Sequence, residues 1–427
     1  MKQKASTKTL SWLLSLALML SLIPGLSVPA QAADSGTCGD NLSWTLNGST
    51  LTISGSGAMA NYEEPSGEPW CNDRYGIYTV VIESGVTSIG NGAFDNCTNL
   101  ASVTIPDSVT SIGEGAFSNC TNLATVNIPT GVTTINNYTF CGTKLTSVTI
   151  PSTVTSIGSY AFNGCSELTN VEIPNSVTSI GGSAFADCGK LTSIEIPNGV
   201  TNIGDYTFQY CTKLSSVTIP DSVTSIGKQA FQQCTTLSGI RIPSSVTSIG
   251  QQAFNSCTGL STVTFACATT NQTLTVGTDA FKNDTATAVY DGSTTVLYDG
   301  DTAIESGASL ISLAGKTLTW KALPPHIHDG ITFTAWTSAD SLPTTAGNYY
   351  LTKDVTISST WNVPTGETNL CLGGHKITLI TNADYAVNVG QGATLNLYDD
   401  EEESGAIVLD SGLELDSSYV GVYLLLR

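Results

Sequence analysis

Charge is scarce in this 427-residue chain. Only 12% of its residues are Asp, Glu, Lys or Arg, and the 15 basic residues are outnumbered by 35 acidic ones. A net charge of −20 repels nucleic acid and anionic lipid headgroups, so neither is an expected partner. Histidine is nearly absent: the three present, His326, His328 and His375, all fall in the last quarter of the chain. There is no Gly-x-Ser-x-Gly elbow and no phosphate-binding loop. No catalytic set emerges, no cofactor is implied, and the chain is read as a non-enzyme. After Ile23 no apolar run reaches the roughly 20 residues that a spanning helix needs.

The single long apolar run lies at the start. Lys2, Lys4 and Lys8 precede Leu10–Ile23, and Ala30-Gln31-Ala32 has the small residues of a signal-peptidase site. Residues 1–32 therefore read as a secretory signal. Without them the charge is (15 − 3) − 35 = −23, and the mature chain has no transmembrane segment.

What is abundant is a repeat. Residues 100–122, LASVTIPDSVTSIGEGAFSNCTN, show the unit cleanly. Its Phe recurs at 94, 117, 140, 162, 185, 208, 231 and 254, at steps of 23 residues with one of 22. A period in this range marks a leucine-rich solenoid. Val103 and Ile105 are two apart, so they share one face of a short strand. Pro106 ends that strand by removing a ladder donor. Ala116, Phe117 and Cys120 would share one side of a single helical turn. Each coil then buries about eight side chains and needs a neighbour above and below to complete its core.

Twelve cysteines in an exported chain would suggest disulfides. Seven of them, from Cys97 to Cys257, follow the repeat Phe by three residues, and Cys141 follows Phe140 by one. In-register parallel side chains are poorly oriented for pairing, so these eight read as buried thiols packing as small hydrophobes. Cys38 and Cys71 lie outside the repeat and are the best candidates for a bridge.

The flanks differ in texture. Residues 33–79 alternate apolar and polar residues around Asn47-Gly48, which reads as a β-hairpin burying Trp44, Leu46, Leu51 and Ile53. It stands where an N-terminal cap is required. Repeats run over 80–283. Residues 284–325 read as a closing cap and linker, ending at Pro324-Pro325. From His326 to Arg427, short alternating strands between Gly and Asn turns suggest a second stacked β architecture, a partial parallel β-helix. The run stops without a polar closing coil, as a shortened gene product would.

The unit L-x-x-V-x-I-P-x-x-V-x-x-I-G-x-x-A-F-x-x-C resembles the BspA-like leucine-rich repeat of bacterial surface proteins, and CGDNLSWTLNGSTLTISGSGAM resembles that family's N-terminal segment. AWTSADSLP, AGNYYLTKDVTI and LGGHKITL resemble pectate-lyase-like β-helix modules. The first resemblance implies a secreted or cell-surface, monomeric adhesion protein whose partners are proteins or glycans on host or microbial surfaces. The second implies an alternative, a carbohydrate-active or glycan-binding module with the repeats as spacer.

Two surfaces stand out for binding. Exposed strand positions form a small, polar, concave face that includes Glu172, Glu195 and Arg241. Two residues before the repeat Phe stand Tyr138, Tyr160 and Tyr206, with Tyr210 one turn beyond Tyr206. These four tyrosines would make a partial aromatic stripe suited to protein or glycan contact. Metal binding is not expected: His326-x-His328-Asp329 lacks a third ligand, and the five carboxylates from Asp399 to Glu403 read as a solvated loop.

Overall fold

A coil of about 23 residues has room for two short strands and one compact return. That is how the repeats fold in the computed structural model, which describes residues 34–62, 67–291, 295–304, 306–322, 326–328, 331–336, 338, 341–351, 354–359, 361–372, 376–379, 387–388, 391, 393–398 and 406–409. The coil after Cys120 is the exception and keeps only the second strand, Thr134–Ile135. The signal segment, His375 and the carboxylate run at 399–403 lie outside the described residues. Among those described there is no α-helix, only the 3-10 turns Arg74–Gly76 and Leu310–Leu313. None of their helices is long and apolar enough to cross a membrane.

Each strand pairs in parallel with its counterpart one repeat away. Ser147–Thr149 lies on Asn170–Glu172, and Ser225–Ile226 on Ser248–Ile249, with equivalent residues opposite. The inward residues stack into one column. The rings of Phe94, Phe117, Phe140, Phe162, Phe185, Phe208, Phe231, Phe254 and Phe281 are all fully buried. Successive rings are nearly parallel, from 5.2 Å at Phe231–Phe254 to 5.8 Å at Phe185–Phe208.

The third arm corrects the sequence expectation. Residues 113–120 form consecutive turns rather than a helical turn. Gly115 and Asn119 both have left-handed φ, +60° and +56°. This conformation turns alternate amides along the solenoid axis. The N–H groups of Gly115, Phe117 and Asn119 donate to the carbonyls of Asn137, Thr139 and Cys141 in the next coil, at 2.9, 2.9 and 2.7 Å. Those of Ala116, Ser118 and Cys120 bond three residues back. A helix would have spent all of these donors within its own coil. The same two left-handed positions recur in every repeat up to Asp279 and Asn283.

Short hydroxyl side chains tie coils together as well. Ser176, Ser222 and Ser245 donate to the carbonyls of Val154, Val200 and Val223, at 2.6, 2.7 and 2.6 Å. Thr178 and Thr247 donate to the carbonyls of Thr155 and Thr224. The Ser- and Thr-rich composition thus satisfies backbone acceptors.

At the N-terminal end, Leu42–Asn47 and Thr50–Gly55 form the expected hairpin and bury Trp44, Leu46, Leu51 and Ile53. A third strand, Asp34–Gly39, adds to its edge, and Thr50–Gly55 pairs in parallel with Thr79–Ile82. Trp70 takes the place of a repeat Phe. It stacks on Phe94 at 5.6 Å, meets Trp44 edge-on, and donates from Nε1 to the Ala93 carbonyl. Cys38 and Cys71 are both free thiols, so the expected bridge is absent. Cys38 is instead buried as an apolar member of the hairpin core.

At the other end, Thr317–Ala322 pairs antiparallel with Thr273–Val276 and with Thr295–Asp299, closing the sheet. In the C-terminal segment Gly347–Leu351, Gly366–Cys371 and Ala393–Tyr398 stack in parallel. Val355–Ile357, Lys376–Leu379 and Ala406–Leu409 do the same on a second sheet. A separate core forms there around Leu351, Val355, Leu370 and Ile377, beside an amide ladder through Asn348, Asn369 and Asn396.

Candidate binding surface

The expected aromatic stripe occupies the left-handed positions of the turn arm. Tyr138, Tyr160 and Tyr206 have φ of +55°, +58° and +61°, and Tyr210, at the second such position of its coil, +59°. A bulky side chain in this region costs on the order of 1–3 kcal/mol, which Gly avoids. Gly92 and Gly115 hold the same place in the first coils. The tyrosines are therefore not what the backbone prefers there.

Their arrangement is ordered. The rings of Tyr138 and Tyr160 stack at 4.7 Å with 3° between planes, and remain 40% and 37% exposed. Beyond them the equivalent residue is Ser183, which is buried, so the stripe is interrupted for one coil. Tyr206 is half-buried, with the Lys228 ammonium 5.6 Å from its ring centroid. Tyr210 is 42% exposed. On the other side of the stack, Gly115 presents no side chain to Tyr138.

The concave face is less open than its sequence suggests. Glu172 and Glu195 are exposed at the last positions of their strands. Arg241 is answered within the chain: its Nε donates to Asp291 at 2.9 Å, and Nη1 lies 3.6 Å from Asp221. The hydrogen bond from Asp291 raises its pKa further, so it is a fixed charge held between carboxylates.

Two aromatic residues escaped the sequence reading. Tyr75 and Tyr78, beside the first coil, are 62% and 50% exposed. They lie outside the repeat, where phase counting gives no signal. Among the described residues no group of three or more His, Cys, Asp or Glu side chains is placed to hold a metal.

The repeat cysteines are free. Cys97, Cys120, Cys165, Cys188, Cys211, Cys234 and Cys257 are fully buried, but Cys141 of the shortened coil is only half-buried, where the sequence predicts a buried thiol. Most donate to the Phe carbonyl of the preceding coil, as Cys211 does to Phe185 at 3.2 Å. Burial pushes the Cys165 and Cys211 thiols up to about 12, far from the thiolate range.

Comparison with known proteins fits this architecture. A BspA type leucine rich repeat region, in six copies, matches residues 71–192 and 178–295, together just over half the chain. No curated protein matches. Among solved structures, a leucine-rich repeat protein from Eubacterium ventriosum is 31% identical, with 56% of this chain and 73% of that one covered and a TM-score of 0.45. A leucine-rich repeat protein from Bacteroides ovatus is 18% identical over 87% of this chain and 98% of its own, also at 0.45. A leucine rich cell surface protein from Faecalibacterium prausnitzii is 24% identical over 61% and 95%, at 0.29. The pectate-lyase likeness expected of 326–427 finds no counterpart in the family match, which ends at residue 295. Repeat length, the buried Phe and Cys columns and the family match lead to one conclusion: the chain belongs to the BspA-type leucine-rich repeat family.

Proposed function

We propose that this is a secreted or cell-surface protein that binds macromolecules on host or microbial surfaces without chemistry. One observation carries the reading. Tyrosines occupy strained, left-handed positions of the turn arm, where Gly would be cheaper, and their rings are kept stacked and exposed. Backbone strain that fold stability does not require is a reason to look for function. A rigid solenoid holds such rings at fixed spacing, which lowers the entropy lost on binding. The export signal read in residues 1–32 supports an extracellular location.

The test is a binding screen of the mature chain against extracellular-matrix proteins and a glycan array. The triple variant Y138S/Y160S/Y206S should lose at least tenfold in affinity for whichever ligand is found. Unchanged binding would remove the stripe from the reading, and a deletion of 80–283 that still binds would move the activity out of the repeats. A second reading has its own observation, the parallel stacking of strands in 347–409. It makes that segment a carbohydrate-active module. Release of unsaturated product from pectin-type polymers in the presence of Ca²⁺ would establish it and end the non-catalytic reading.

A further inference from the structure

Charge on the repeats is sorted by face. Between residues 75 and 240 the chain holds four basic residues, Lys144, Lys190, Lys213 and Lys228. All four lie on the turn arm or the corner just after it. Lys144, Lys190 and Lys213 each precede a buried leucine, at Leu145, Leu191 and Leu214, and so stand in one column, Lys190 and Lys213 on adjacent coils and Lys144 two coils before Lys190; all three are exposed. The strand faces of the same coils carry only carboxylates, among them Glu172 and Glu195. The cations therefore lie on or just after the arm that carries Tyr138, Tyr160, Tyr206 and Tyr210, and the Lys228 ammonium stands 5.6 Å from the Tyr206 ring centroid.

The arm has carboxylates too. Glu167 stands between Lys144 and Lys190 in the column and accepts from Lys190 Nζ at 2.6 Å, which holds its carboxyl below the usual range. Asp187 is exposed, and Asp205 accepts the backbone N–H of Lys228 at 2.7 Å. Lys144 and Lys213 have no ion pair among the described residues. From Tyr138 to Lys228 the arm sums to 4 − 3 = +1, on a chain whose net charge is −20.

We propose that this arm binds a linear acidic polysaccharide. Sugar rings lie against the exposed parts of the tyrosine rings, and carboxylate or sulfate groups meet Lys144 and Lys213 and compete with Glu167 for Lys190. Spacing favours a glycan over an acidic peptide. Successive coils are separated by about 4.8 Å, the spacing of parallel strands, and the Tyr138 and Tyr160 rings stand 4.7 Å apart. A pyranose chain advances by roughly one such step per sugar. Same-side residues of an extended peptide repeat at about 6.8 Å and drift out of phase within a few coils. Tyrosine faces suit sugar C–H groups, whereas an acidic peptide would gain little from them. The proposal rests on the macromolecule-binding reading above and gives it a ligand class.

The experiment measures binding of the mature full chain to heparin, polygalacturonate, amylose and polyglutamate, with K144Q/K190Q/K213Q and Y138S/Y160S/Y206S alongside. The variants are checked for an unchanged circular dichroism spectrum. The expected result is binding to heparin (sulfate) or polygalacturonate (carboxylate) that weakens steeply from about 50 to about 200 mM salt. Each triple variant should bind at least tenfold more weakly, and amylose and polyglutamate should not bind. The proposal is overturned by no binding to either acidic polysaccharide, by an unchanged lysine variant, or by polyglutamate binding equally well. If it falls while the chain still binds a matrix protein, the broader reading stands; if no macromolecule binds, both fall.

Discussion

Asp284 shows what one residue out of pattern does. It follows Phe281 by three, the place held by cysteine in the coils before it, and its backbone N–H bonds to Phe281 as that of Cys257 does to Phe254. It is buried, and burial pushes its pKa up to about 7 despite the lowering influence of the Cys257 backbone amide. The folded state therefore prefers the neutral acid, while the unfolded chain ionises near 3.9. Below about pH 4 both states are protonated and the group is neutral to stability. As pH rises to 7 the unfolded state gains from ionisation and the fold loses, by on the order of a few kcal/mol. Asp284→Asn should raise the denaturation midpoint at pH 8 and leave it nearly unchanged at pH 4. Equal shifts at both pH values would mean the carboxyl is not held neutral.

The thiols make a second prediction at this scale. If the repeat cysteines are buried rather than paired, a thiol reagent should find all 12 only after denaturation without reductant. In the native protein it should reach at most the half-buried Cys71, Cys141 and Cys267. A shortfall in the denatured count would reveal disulfides.

The turn arm decides stability at the scale of elements, because its left-handed residues set the coil-to-coil hydrogen bonds. Gln233 has φ of +64°, and its N–H donates to the Asn255 carbonyl at 2.9 Å. Gln233→Gly keeps that bond and removes the steric cost, so it should stabilise by about 0.5–1 kcal/mol in chemical denaturation. In a helix the same change would destabilise by a similar amount, so the sign separates the two geometries. This arm was the part of the fold least legible in the sequence. Ala116, Phe117 and Cys120 fall on one side whether the segment is helical or a run of turns, so residue spacing could not discriminate. The signal was present in composition: except at the four tyrosines, Gly, Asn, Ser, Gln and Asp recur two residues before and after the repeat Phe, at positions a helix would not restrict. The inward Phe and Cys columns were legible because every coil repeats them. Trp70 was not, since the first coil substitutes another aromatic at an altered step. Among surface residues, the Tyr positions could be counted by phase, but the shielding of Arg241 could not. Its partner Asp291 lies 50 residues away, beyond the last regular repeat.

The repeat region, which makes up about half of the molecule, behaves as a stack of near-identical layers, with each coil touching chiefly the ones above and below. In such a system stability is a sum of coil terms and interface terms, and the ends matter more than any interior layer. Residues 168–190 make one complete step, from Leu168 to the residue before Leu191. Their removal would bring Phe162 onto Phe208 across the gap left by Phe185 and keep strands, hydroxyl ladders and arms in register. This shortened chain should fold cooperatively, with a denaturant m value lowered in proportion to the surface lost. Removal of 168–179, half a step, would set strand against turn and should abolish cooperative unfolding. At the N-terminal end a far smaller change should do more harm. Trp70→Ala would uncover the terminal Phe94 ring and leave Trp44 without its edge-on partner. Truncating such a buried aromatic costs about 3–5 kcal/mol, and here that loss falls on the interface that closes the column. Hydrogen exchange should then show amides of 79–104 losing protection while those around Phe208 and Phe231 keep theirs. Uniform loss along the solenoid would instead mean that the coils fold as a single indivisible unit.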